Sequence, residues 1–368
     1  MKKTLLFATL FLVYQFSYGQ LYISEIMVSP PGDDLPREFI ELRGTPNATI
    51  ANDTYLVQIE GDSDGTNNPG DVESESGGGI IDLSGQVLGS NGFLVILYDG
   101  GTPETKYPYS VNSNATILTG VTDGTLEDKS HTFLLITAPT KPSSSDDIDD
   151  NDDGQPNGTV YESWTILDGI SLLDDDDFGA NGEFGYADVI FCHCNDGDNV
   201  KIKSGANIVY TGANDFDYFA RVGNSTGNTL TANASTSDWF GGDLSSVDDL
   251  TVENWKLSTS SGKSYPESFG GQEVDNIGST NPTGNTASVD EVFSSQFSVF
   301  PNPAKNTLNI SSKVSIDKAE VFNLIGKKVI SNSKSSNNSI DISNLSKGIY
   351  ILKLTSGDSV ATRKIIKE

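Results

Sequence analysis

Apolar and polar residues follow one another along most of this chain in short runs, cut every few positions by Gly, Pro, Asn or Asp. Tyr22 to Ile26 and Glu38 to Leu42 each alternate, and Pro30-Pro31-Gly32 forces a loop between them, so this stretch predicts two strands. Runs at 54–61, 79–85, 92–100, 131–137, 164–173, 186–191, 199–205, 207–212 and 218–223 are rich in β-branched, Leu and aromatic residues and bounded by turn formers, which predicts further strands. No stretch keeps an apolar period of about 3.6 residues over three turns, so almost no helix is expected. Later runs at 297–300, 307–310, 318–323, 327–331, 339–342, 348–354 and 360–367 predict a small β-sandwich. Pro301 and Pro303 bracket Asn302, fix φ on both sides and remove two N–H donors, so Phe300-Pro301-Asn302-Pro303 must be a stiff turn. The fold class predicted is all-β.

The amino end changes the picture of where the chain works. Lys2 and Lys3 precede an apolar stretch from Leu5 to Val13, and Ser17 and Gly19 suit a cleavage site, so 1–19 is expected to be a signal peptide cut before Gln20. The apolar stretch is shorter than the roughly 20 residues that span a bilayer, and no later one is long enough, so no transmembrane segment is expected after cleavage. A secreted or outer-surface location follows. Composition then narrows the partners. With 51 acidic against 23 basic residues and a net charge of −28, the chain lacks the basic surface that phosphate binding needs, and nucleic acid is disfavoured. From Phe293 on the balance reverses, with 11 basic against 5 acidic residues, which marks a separate module. Residues 274–292, rich in Gly, Asn, Ser and Thr, are expected to be a linker between a large domain at 20–273 and a small one at 293–368.

The small module closely resembles the sorting domain of the type IX secretion system of Bacteroidota. The resemblance rests on Phe300-Pro301-Asn302-Pro303 with Leu308-Asn309-Ile310, on Val321 to Val329, on Leu345 to Leu354 with Gly348 and Tyr350, and on the basic end around Lys364. It implies an Ig-like sandwich, export to the periplasm by the signal peptide, and passage across the outer membrane by the type IX machinery. In that family the domain is commonly removed and the cargo released or anchored at the surface.

The large module opens with Ile23-Ser24-Glu25-Ile26 and Glu38-Phe39-Ile40-Glu41-Leu42, which resembles the start of a lamin-tail domain, an Ig-like β-sandwich. Arg43 to Thr49, Asp82 to Gly85, Gly89 to Val95, Trp164 to Leu173 and Ser237 to Leu244 resemble the bacterial extracellular branch. Arg43-Gly44 departs from the lamin pattern, which usually has an aromatic residue and Asn there, as do the long acidic insertions. The resemblance implies a binding or display module for a glycan or a surface protein.

Among candidate chemical groups, Asp149-Asp150-Asn151-Asp152-Asp153-Gly154 reads as D-x-N-x-D-G. Asp149, Asn151 and Asp153 stand at positions 1, 3 and 5 of a calcium loop, and Gln155 is placed to offer its carbonyl. Val160 occupies position 12, where an EF-hand needs a bidentate Glu, so any Ca²⁺ site here is completed differently, with Asp147 or one of Asp174 to Asp177 as donors. A solvated acidic loop is the alternative. Cys192-His193-Cys194 on a strand puts both thiols on one face and the imidazole on the other, poor geometry for one metal; a local disulfide or two free thiols is expected instead. Catalysis would have to be carboxylate-based, as in glycoside hydrolysis, with Glu25, Glu38 and Glu41 the early-strand acids. These acids can equally serve to hold the sandwich. Trp164, Trp239 and Trp255 are either sugar platforms or core residues.

Overall fold

The computed structural model describes residues 20–30, 37–62, 68–74, 78–98, 110–120, 126, 129–174, 182–212, 216–244, 255–259, 263–274, 276–284 and 297–368, the last without 313–315, 324–325, 334–338 and 357–358. The expected signal peptide, Asp175 to Asp177 and residues 285–292 of the expected linker lie outside the described residues. The chain forms two compact units, 1–284 and 285–368.

In the first unit β1 (Tyr22–Met27), β2 (Phe39–Arg43), β5 (Phe93–Leu97), β6 (Thr116–Leu118), β13 (Tyr218–Arg221) and β14 (Trp239–Gly242) make a six-stranded sheet in the order β14-β13-β1-β2-β5-β6. A second six-stranded sheet, in the order β12-β10-β8-β7-β3-β4, contains β3 (Thr54–Glu60), β4 (Ile80–Asp82), β7 (His131–Thr137), β8 (Thr165–Leu173), β10 (Val189–Cys192) and β12 (Asn207–Tyr210). Alternate positions of both sheets, such as Ile26, Ile40 and Ile96 from the first and Leu56, Leu135 and Phe191 from the second, share one core. The intervening positions are buried as well. Phe39, Val95 and Tyr218 lie in a second apolar cluster with Trp255 and Phe269, and Val57 and Leu134 in a third with Ile148 and Phe184. Burial on both faces is why Phe93-Leu94-Val95-Ile96-Leu97 carries no alternation and is buried throughout.

The all-β expectation holds; α1 (Gly158–Ser163) is a single short helix. An Ig-like sandwich is antiparallel, and the pairings of β1 with β2 and β13, of β2 with β5, and of β3 with β4 and β7 obey that rule. β5 and β6 pair in parallel, and from β8 to β12 the pattern departs further. Ile190 of β10 lies parallel between Ser171 of β8 and Ile208 of β12, while β9 (Glu183–Gly185) and β11 (Val200–Ile202) pair in parallel by themselves. Residues 165–210 therefore wind as a short solenoid, each coil giving one strand to the large sheet and one to the small.

A buried ion pair ties the two large sheets. Arg221 of β13 donates to both Asp168 oxygens of β8 at 2.7 Å and to the Ile23 carbonyl at 2.8 Å, and its guanidinium lies 4.3 Å from the Trp239 ring centre. One boundary needs correction. Val274 and Ile277 are buried in the apolar layer over the first sheet, and the Gly223 N–H donates to the Pro282 carbonyl at 2.9 Å, so 274–284 closes the first unit rather than linking it to the second. Gly278 and Asn281 of this stretch donate to Glu41 and Ser24 of the sheet, a role that composition cannot tell from a linker.

The second unit has a three-stranded sheet of β15 (Phe297–Phe300), β16 (Thr307–Ser312) and β19 (Ser339–Asp341), and a four-stranded sheet of β17 (Lys318–Asn323), β18 (Lys328–Ser333), β20 (Gly348–Ser356) and β21 (Ser359–Lys367). All pairings are antiparallel, around a core of Leu308, Ile310, Val321, Ile340, Leu352 and Leu354.

Candidate functional site

The acidic loop folds around its first ligand candidate. Asp149 is fully buried; one of its oxygens accepts from the Gly154 N–H at 2.7 Å and the Tyr186 hydroxyl at 3.2 Å, the other from Asn157 Nδ2 at 3.1 Å and the Asp153 N–H at 3.4 Å. Gly154 sits at φ +81°, where a Cβ would meet the Lys201 backbone at 2.8 Å, so the turn needs glycine twice over. Asn157 Nδ2 also donates to Asn151 Oδ1 at 2.6 Å and to the Gln155 carbonyl at 2.9 Å. Oxygens from positions 1, 3 and 7 thus converge on one point, which the Asn157 amide nitrogen takes. Asp153 Oδ1 accepts from the Gln155 N–H at 2.9 Å. The Gln155 side chain is spent elsewhere, on the Ile202 carbonyl at 2.7 Å and the Ser204 N–H at 2.8 Å. Asn157 and Tyr186 escaped sequence reasoning. Asn157 had a usable signal, since it stands at position 9 counted from Asp149; Tyr186 had none.

The early-strand acids are structural in their contacts. Glu25 and Glu41 are opposite one another on β1 and β2, and neither is exposed. The Tyr218 hydroxyl donates to Glu25, and the Gly278 N–H to Glu41 at 2.6 Å. Burial pushes the Glu25 carboxyl up to about 8, against the pull of its hydrogen bonds from Tyr218 and Glu41. Burial and then the Glu25 charge push Glu41 well above the usual carboxylate range. Glu38, also buried, accepts from the Leu126 N–H at 2.6 Å. Trp164, Trp239 and Trp255 are all buried and offer no open platform.

Cys192 and Cys194 form a disulfide, which removes both thiolates from metal chemistry. The His193 ring is paired instead through Nδ1 with Asp174 Oδ1 at 2.7 Å.

An open groove of about 570 Å³ lies beside the start of β1, with Tyr22, Arg43, Thr45, Asn91, Asn224 and Thr280 in its walls. Arg43 is fixed there by donating to the Asn224 carbonyl and side chain at 3.0 Å each and to the Ser225 carbonyl at 2.6 Å. Its Nε has no hydrogen-bond partner among the described residues.

In the second unit the stiff turn is stitched to the last strand. Asn302 donates to the Lys364 carbonyl at 2.9 Å and accepts from the Ile366 N–H at 2.8 Å, so the side chain between the two prolines supplies the pairing their nitrogens cannot. Both X–Pro bonds of this turn, Phe300–Pro301 and Asn302–Pro303, are cis. Phe300 is half exposed, and Tyr350 donates to the Ser346 carbonyl at 2.9 Å. Residues 298–368 match the family of secretion system C-terminal sorting domains. The tail is a type IX sorting domain, which directs the protein through that machinery to the cell surface or the extracellular space. No curated protein matches this chain. Among the described residues no helix is long and apolar enough to cross a membrane.

Proposed function

We propose that the first unit is a non-catalytic binding module of lamin-tail type, carried to the cell surface by its sorting tail, with Ca²⁺ ordering the acidic loop and a glycan as the ligand of the Arg43 groove. The calcium part is supported by the convergence of Asp149 Oδ1, Asn151 Oδ1 and the Gln155 carbonyl on one atom at 2.6–3.1 Å. A Ca²⁺ ion at its usual oxygen distances of about 2.3–2.6 Å would displace the amide nitrogen with a contraction of a few tenths of an ångström, and turning Asn157 would add a fourth oxygen. The binding part is supported by the groove, where a guanidinium, side-chain amides and hydroxyls share one concave wall, the donors and acceptors that sugar hydroxyls pair with. A carboxylate hydrolase is less well supported, since Glu25 and Glu41 are sealed from any substrate.

Two measurements on the full chain test this. Thermal unfolding in EDTA and in millimolar Ca²⁺ is expected to show a higher melting temperature with calcium, and Asn151→Ala to remove the rise; coincident curves for the unaltered chain overturn the calcium part. Screening on immobilised glycans with calcium present is expected to find a ligand whose binding Arg43→Ala abolishes. Equal retention by the variant, or no glycan bound, overturns the groove assignment.

A further inference from the structure

A second cluster of donor side chains lies at the far end of β3 and β7, apart from the acidic loop. Glu60 of β3 pairs directly with His131 of β7. Glu73 is brought beside them because its N–H donates to the Gln58 carbonyl at 3.0 Å while the Glu60 N–H donates to the Asp71 carbonyl at 2.9 Å. His131 Nε2 lies 3.9 Å from Glu60 Oε1 and 3.8 Å from Glu73 Oε1, and one donor atom from each of the three falls within 4.8 Å of the others. Two donors held by one ion at about 2.1 Å stand about 3.4 Å apart in tetrahedral geometry, so each histidine–carboxylate pair needs to close by about half an ångström to share a metal.

Glu183 gives an independent indication. It is 1% exposed, and its Oε2 has no hydrogen-bond partner among the described residues. The Phe184 N–H donates to the Gly61 carbonyl at 2.8 Å, which sets Glu183 next to the end of β3. So many carboxyls withdrawn from water beside one imidazole are costly unless protons or a cation neutralise them.

We propose that Glu60, Glu73 and His131 bind a divalent first-row transition ion of the Zn²⁺ class, with Glu183 or a water completing the shell. The imidazole sets the class, since nitrogen with carboxylates suits Zn²⁺ and its neighbours whereas Ca²⁺ takes oxygen alone. The Glu73 side chain, 14% exposed, gives the ion its path from solvent. The segment that carries Glu73 pairs with the start of the acidic loop, the Val72 N–H donating to the Asp146 carbonyl at 2.9 Å, but none of the three donors belongs to that loop.

The test is a Zn²⁺ titration of the EDTA-stripped full chain by calorimetry, with Glu73→Gln, His131→Gln and Asn151→Ala alongside, followed by zinc-edge X-ray absorption on the loaded protein. Saturable binding is expected, weakened more than about tenfold by Glu73→Gln and by His131→Gln and unchanged by Asn151→Ala. The absorption spectrum is expected to show one imidazole among oxygens and no sulfur. Glu73→Gln keeps the size of a partly exposed side chain, so its folding, checked by circular dichroism, separates loss of a ligand from loss of the fold. No saturable binding, binding indifferent to Glu73→Gln, or a shell without histidine overturns the proposal.

Discussion

Asp149 in the acidic loop and the Glu25–Glu41 pair under the closing strap are equally hidden from water, yet they are held in opposite ways. Asp149 accepts from four donors, three of them from residues 153, 154 and 157 of its own loop. Glu25 takes hydrogen bonds from Tyr218 and Glu41, and Glu41 from Gly278 and Ser24, yet burial, and for Glu41 the Glu25 charge as well, lifts both carboxyls far above their ordinary range. Donors alone do not offset burial where a second carboxyl stands opposite.

The sharpest way to break the comparison is Asp149→Ala. It strands the Gly154 N–H and the Tyr186 hydroxyl in the interior, and a loss of about 3–5 kcal/mol is expected in denaturant unfolding. The carboxyl pair predicts a pH effect instead. Glu25 titrates near 8 in the folded protein against 4.5 ordinarily, so between those values the folded state keeps a proton that the unfolded chain has released. The stability from this group is fully present below the lower value and is lost as pH rises through the upper one. Glu25→Gln is expected to flatten that fall; an unchanged slope would show that the pair is not protonated. The smallest effect expected is that of Gly154→Ala. It keeps every charge of the loop but forces a side chain into a left-handed turn against Lys201, at about 2 kcal/mol in the same measurement, which separates the loop's shape from its charge.

What could be read from the sequence follows the same division. Spacing alone singled out Asp149, Asn151, Asp153 and Gln155, because such a loop draws its donors and acceptors from within a few residues. Most strands were legible from their apolar runs, and the sorting tail from its ordered motifs. β6 was missed because Thr116-Ile117-Leu118 is too short to show a period. β9, at Glu183-Phe184-Gly185, was missed for the same reason. The Glu60, Glu73 and His131 cluster was invisible because β3–β7 pairing and a returning loop assemble it. The strap at 274–284 was misread since backbone pairing to a distant sheet leaves no mark on composition.

The place of β1 bears on how the chain acquires its structure. It lies inside its sheet, with β2 on one side and β13 on the other, and Glu25 sits opposite Ala220. β1 therefore waits for a strand far along the chain to complete it, and its edge stays open until Tyr218–Arg221 has been made. Such long-range pairing makes for slow folding and for a growing chain that exposes a ready template for strand addition.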